Sequence, residues 1–137
     1  MMRRPREEAT KGATARPVLI GWLLLLYFDW LMRFGGFARV HAVVRQQKVR
    51  SRPKAREDES DLAYAVDLAC VFYFKRVLCL QRSAALAVLL RHHGSAASMV
   101  IGAQLLPFLS HAWVEVEGCV INDKPYIGET FQVLDRC

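Results

Sequence analysis

The sequence predicts an α+β domain, on three observations. Strongly helical segments fill the first two thirds of the chain, short strand-like runs fill the last third, and Gly94 divides the two regimes. Helices followed by an antiparallel sheet is the order of an α+β fold and not of alternating βαβ units. The 137 residues suffice for one hydrophobic core, and a composition 53% apolar and 23% charged excludes wholesale disorder.

Residues 1 to 16 read as a loose basic tail. An apolar helix is expected over residues 17 to 34, broken by Gly35-Gly36, with a second helix over 37 to 47. The uninterrupted apolar run stops at Asp29 after about 12 residues, short of the roughly 20 that a bilayer span needs. Burial in the core is therefore the first expectation for this helix, an interfacial membrane position the second and a true span the third. Asp29 and Arg33, four apart, can pair on one helical face. A charged linker over 48 to 59, around Pro53, precedes a helix that Ser60 can cap. Leu62, Ala65, Val66, Ala69, Phe72 and Tyr73 give that helix one apolar face. Residues 80 to 93 form the strongest helix, rich in Ala and Leu and closed by Gly94. Apolar residues occupy most of its circumference, which suits a central helix packed on a sheet. Strands are expected over 97 to 103, 110 to 116, 119 to 123 and 130 to 134, the middle two joined by a tight turn containing Glu117-Gly118. The chain thus divides into residues 1–56 (basic tail, apolar helical region and linker) and a domain over 57–137.

The formal net charge of +6, from 19 Lys and Arg against 13 Asp and Glu, arises largely before residue 57. Such segments suit nucleic acid, an anionic membrane or an acidic peptide, or simply solvation. No nucleic-acid motif is present, so no nucleic-acid partner is expected. None of the four cysteines forms a C-x-x-C pair, which argues against a zinc ribbon or a thioredoxin-type site. No cofactor or metal is expected. With no signal-peptide pattern, a cytoplasmic protein with free thiols is the reading, membrane contact by the first helix being open but not favoured.

Chemistry concentrates in the second half. Cys79 lies at the start of the central helix, where unpaired N–H groups and the macrodipole favour a thiolate. A lone cysteine is more often a buried structural thiol, so the case depends on the hairpin 111–123. If Val116-Glu117-Gly118 closes as a three-residue loop, His111 faces Asp123 across the ladder. Asp123 could then orient the imidazole while its other nitrogen serves the thiol. A two-residue turn at Glu117-Gly118 would instead oppose His111 to Lys124 and send Asp123 to the other face.

Cys79-Leu80-Gln81-Arg82-Ser83-Ala84-Ala85-Leu86, Val100-Ile101-Gly102, Pro107-Phe108, His111-Ala112-Trp113-Val114-Glu115 and Val120-Ile121-Asn122-Asp123 follow in order. This series, over about residues 57 to 135, resembles the lasso-peptide biosynthesis B2 family, bacterial leader peptidases of the transglutaminase-like, papain-related superfamily. The resemblance implies a papain-like/transglutaminase-like core with the Cys-bearing helix on a small antiparallel sheet. It implies a cysteine peptidase with Cys79, His111 and Asp123 as its triad. The approach to the nucleophile, residues 74 to 78, lacks the proline expected nearby. Implied partners are the precursor's leader peptide, a separate winged-helix leader-recognition protein of the B1 type, and the asparagine-synthetase-like cyclase. The first 56 residues look too few for a fused winged helix, so the split form is expected, with the basic N-terminal region as a docking surface.

Arg82 and Ser83 belong to the same motif and either meet substrate or support the site. Trp113 either screens the His–Asp bond or packs the sheet. His92 and His93 suit a helix C-terminus, His41 has no identifiable partner, and Cys119 and Cys137 read as incidental. Two alternatives stay open: an acyl transferase on the same triad, and a non-catalytic binding or membrane-associated module.

Overall fold

The structure, a computed structural model, describes residues 15–50, 59–105 and 107–137. The basic tail before Ala15 and the linker around Pro53 lie outside the described residues. The elements run α1 (Ala15–Gln46), α2 (Glu59–Val71), α3 (Cys79–His92), β1 (Ala97–Leu105), β2 (Phe108–Val116), β3 (Cys119–Val120), α4 (Ile127–Thr130) and β4 (Gln132–Arg136). The strands form one antiparallel sheet in the order β3-β2-β1-β4. The α+β architecture with a central helix on a small antiparallel sheet is the one expected.

The break at Gly35-Gly36 falls on Gly36, whose φ of 69° and ψ of −170° lie where glycine alone sits at low cost. Beyond it, Val40 and Val44 return to the core. Burial of the first half holds for one face only: Pro17, Gly21, Leu25, Phe28 and Leu31 are buried, whereas Leu19, Leu23, Trp30 and Phe34 are exposed. Asp29 does not form an ion pair with Arg33; it takes Lys75 Nζ at 2.7 Å and the Tyr73 hydroxyl at 3.0 Å. α2 as described begins at Glu59, so Ser60 lies in its first turn and not ahead of it.

α3 is the hub, touching α1 and α2 on one side and β1 and β2 on the other. Ala84, Ala85, Leu86, Ala87, Leu89 and Leu90 are buried in a core shared with Leu25, Phe28, Val66, Met99 and Val114. The helix closes as a Schellman motif. Gly94, at φ 91°, donates its N–H to Arg91 O, and Ser95 donates to Leu90 O. His93 Nδ1 lies 2.9 Å from Leu89 O, so this histidine does serve the helix end. His41 has a partner after all, Asp135 of β4 at 2.7 Å, because the second half of α1 packs beside the far edge of the sheet.

The sheet departs from expectation at its ends. β1 and β2 extend to Leu105 and start at Phe108, making a longer hairpin than the apolar runs alone mark. β3 stops at Val120 instead of reaching Asp123, and Thr130 ends the helical turn α4 before β4 begins.

Arg91 joins three elements. Its buried guanidinium donates to Val44 O, to Gln47 O at 3.2 Å, and through Nε to Ala97 O at 2.9 Å. The first two are carbonyls at the end of α1, where the helical ladder runs out and Val44 O has besides Arg91 the Gln47 N–H at 3.2 Å. Arg91→Ala removes all three bonds from a buried site, so chemical denaturation should show a loss of about 2–4 kcal/mol, well beyond a typical surface substitution.

Candidate functional site

Cys79 is the first residue of α3. Leu78 precedes it in extended conformation and supplies no side-chain cap, and the first intrahelical bond runs from Arg82 N to Leu78 O. The N–H groups of the first turn are therefore directed to the space before the helix, with the positive end of the dipole behind them. Ser83, one turn further along the same face, is buried and donates its hydroxyl to Ala112 O at 3.0 Å, fixing that face of α3 against β2.

The hairpin closes with two residues and not three. Val116 pairs with Cys119 and Glu115 with Val120, leaving Glu117 (φ 51°) and Gly118 (φ 78°) as the turn. Positive φ at both positions matches the right-handed twist of paired strands, at a cost of about 1–2 kcal/mol for the non-glycine Glu117. Continued as a ladder, this register would carry Asp123 to the face opposite His111. The ladder does not continue. Ile121 N still bonds Val114 O, but Val114 N–H is taken by the Asn122 side chain (Oδ1, 2.8 Å), and the backbone bends over residues 121–123. Asn122 is buried, and its Nδ2 donates to Ser83 Oγ at 3.2 Å. The bend delivers Asp123 Oδ2 to within 2.5 Å of His111 Nε2 by a route the strand register does not supply.

Burial alone would raise the Asp123 carboxyl. Hydrogen bonds from His111 and from Lys124 N–H, with the charges of His111 and Arg82, outweigh it and hold the pKa below the ordinary carboxylate value. Arg82 reaches the region from α3, donating Nη2 to Asn122 O at 2.9 Å and Nε to Asp67 of α2 at 2.8 Å. Arg82 and Ser83 thus brace the bend from below. Among the described residues no hydrogen bond links Cys79 to His111, and the imidazole's Nδ1 is the nitrogen that Asp123 leaves open. Apo nucleophile–base pairs are often long and tighten with substrate.

Alternation along β2 puts Ala112, Val114 and Val116 towards the helices and His111, Trp113 and Glu115 on the outer face. Trp113 is 0% exposed and near-parallel to the His111 ring, with centroids 6.1 Å apart. Phe131 lies on the same imidazole at 5.3 Å. Glu115 accepts from Trp113 Nε1 at 3.1 Å and holds Arg136 of β4. Trp113 packs the outer face of the sheet, with its ring beside that of His111. Phe131, Glu115 and Asn122 are contributors that sequence reasoning missed; no local pattern marks Phe131, whereas Asn122 stands next to Asp123 and its type suits a backbone-mimicking bend.

The other three cysteines are free thiols. Burial pushes Cys70 and Cys137 up, against opposing charges, and so favours their neutral forms; Cys119 is exposed beside the turn.

Two tests follow from this geometry. A Cβ on Gly102 would lie 2.8 Å from the Trp113 ring and 2.9 Å from Phe131 Cβ, so Gly102→Ala must displace both rings from His111. It should cost about 1–3 kcal/mol of stability, with a changed indole signal in near-UV circular dichroism. Because the Asp123 pKa is depressed, its contribution is fully present above the unfolded value of about 3.9 and is lost as pH falls through the folded value. Denaturation between about pH 5 and pH 2 should therefore show a shallower decline for Asp123→Asn than for the wild type.

Comparison with known proteins agrees with this architecture. The family described as Transglutaminase-like superfamily matches residues 22–136. The chain is 30% identical over 114 residues, 82% of its length, to the Microcin J25-processing protein McjB of Escherichia coli. It spans about half (54%) of that relative. No solved structure matches. The match over nearly all the described residues places the chain in the transglutaminase-like superfamily.

Proposed function

We propose that the protein is a cysteine peptidase that removes the leader from a ribosomally made lasso-peptide precursor, acting with a separate leader-recognition protein. The observation that carries the reading is the His111–Asp123 pair, held at 2.5 Å by a bend that is itself braced from α3, the helix that Cys79 opens. The similarity to a microcin-processing protein supports a peptide precursor as substrate.

In this mechanism the Cys79 thiol gives its proton to His111, and the thiolate attacks the scissile carbonyl. His111 passes the proton to the leaving amine as the C–N bond breaks, leaving a thioester on Cys79. A water then attacks the thioester, giving one proton to His111, and the acid and free thiol are regenerated. Asp123 fixes the imidazole's orientation and stabilises its charged form. The Cys79 N–H, in the open first turn of α3, donates to the oxyanion. Trp113 and Phe131 cover the imidazole, which limits water around the His–Asp bond.

The test is cleavage of a candidate precursor with its leader-recognition partner, followed by mass spectrometry. Wild type should release the leader, Cys79→Ala and His111→Ala should lose at least about a thousandfold in rate, and Asp123→Asn about a hundredfold or more. Leader release by Cys79→Ala at the wild-type rate sinks the peptidase reading. A leader joined to an added amine, with no hydrolysed product, would make the protein an acyl transferase instead.

A further inference from the structure

α1 is long and apolar enough to cross a membrane by length and composition, yet its packing forbids that role. Its inner face meets α2 and α3 closely: Leu25 and Phe28 are fully buried, and a Cβ on Gly21 would sit 3.5 Å from Ala69 Cβ. Gln81 of α3 donates to Leu25 O at 2.7 Å, and Asp29 is tied to Tyr73 and Lys75. Spanning a bilayer would strip these contacts and drag a carboxylate into hydrocarbon.

The outer face is a different matter. Leu19, Leu23, Leu26, Trp30 and Phe34, all before the break at Gly36, recur at spacings of three and four and are all exposed. They form a continuous apolar stripe along the helix. Phe74, from the segment before α3, extends it: Phe74, Leu26, Trp30 and Phe34 line one shallow depression with Asp29 and Arg33. An apolar area of this kind on a folded surface marks an interaction site.

Charge identifies the occupant. The described charged groups along its margins are Arg16 and Arg33 on α1, and Lys75 and Arg76 directly after Phe74, all exposed. The one carboxylate among them, Asp29, is already paired with Lys75. Leu, Trp and Phe on the contact face with cations at the margin is the pattern of a helix lying in an anionic lipid interface, with aromatic rings at headgroup depth. A protein partner would be expected to find free polar groups to hydrogen-bond within the patch; between Leu19 and Phe34 the stripe offers Arg33 at its edge, the Tyr27 hydroxyl, and an Asp29 carboxylate that Tyr73 and Lys75 already engage.

We infer that the outer face of α1, extended by Phe74, docks the folded protein flat on an anionic membrane surface, with the helix parallel to the plane and not across it. This inference stands independently of the peptidase reading.

The experiment is flotation of the full chain with phosphatidylcholine vesicles and with vesicles containing about one-third phosphatidylglycerol, alongside tryptophan emission. Trp30 is 58% exposed while Trp113 is buried, so docking should shift emission to the blue through Trp30. The expected result is at least about tenfold stronger binding to the anionic vesicles, weakening with salt. Leu23→Glu/Phe34→Glu should abolish binding while the melting temperature and near-UV circular dichroism stay as in wild type. Trp30→Phe should remove the emission shift and keep the binding. Absence of binding to either vesicle overturns the inference, as does equal binding to both, or retained binding by the double variant. A dimer in sedimentation velocity that the same double substitution dissociates would assign the face to a second copy and overturn it too.

Discussion

The side-chain amide of Asn122 is the junction on which the candidate site depends. It takes the N–H of Val114 that a longer β3 would have taken, and it donates to Ser83 on α3. One residue thus ends a strand, turns the chain and ties the turn to the central helix. Arg82 adds a second tie through the Asn122 carbonyl. Without this junction the two-residue hairpin would continue its ladder and separate Asp123 from His111. With it, the alignment of the pair is set by buried hydrogen bonds and not by the flexibility of a loop, which is how a short-lived charged intermediate is best supported.

Periodicity was sufficient for the long helices, though not for the single turn α4. The Ala/Leu-rich run beginning near Cys79, with Gly94 after it, specifies both the identity and the closing geometry of α3, because capping and burial there agree. The hairpin was legible only in part. Glu-Gly allows both a two- and a three-residue turn, and a single-residue difference in register reverses every side chain. The sequence argument reached the contact between His111 and Asp123 through a register that the molecule does not use. What produces the contact, an asparagine replacing a rung of the ladder, has no periodic signature. Phe131 and Glu115 were equally hidden, since their roles arise from pairing across β1 between strands far apart in sequence.

The apolar helix shows the other limit of sequence reading. Composition marks α1 as a segment that avoids water, but not how many of its faces do so within the fold. The structure gives it two: one committed to α2 and α3, one left outward. Gly36 separates these duties from those of the second half, which returns Val40 and Val44 to the core and presents carbonyls to Arg91.

Asp29 stands at the boundary between the outward face and the interior, and its two partners, Tyr73 and Lys75, belong to the segment that runs into Cys79. Burial pushes the Tyr73 hydroxyl up to about 12, helped by the Asp29 carboxylate, so it stays a donor to that carboxylate across the physiological range. The helix and the approach to the thiol are thus joined at Asp29, beside the Trp22–Tyr73 ring contact and the bond from Gln81 to Leu25 O. One carboxylate therefore links the outward face of α1 by hydrogen bond and ion pair to the backbone that leads into Cys79.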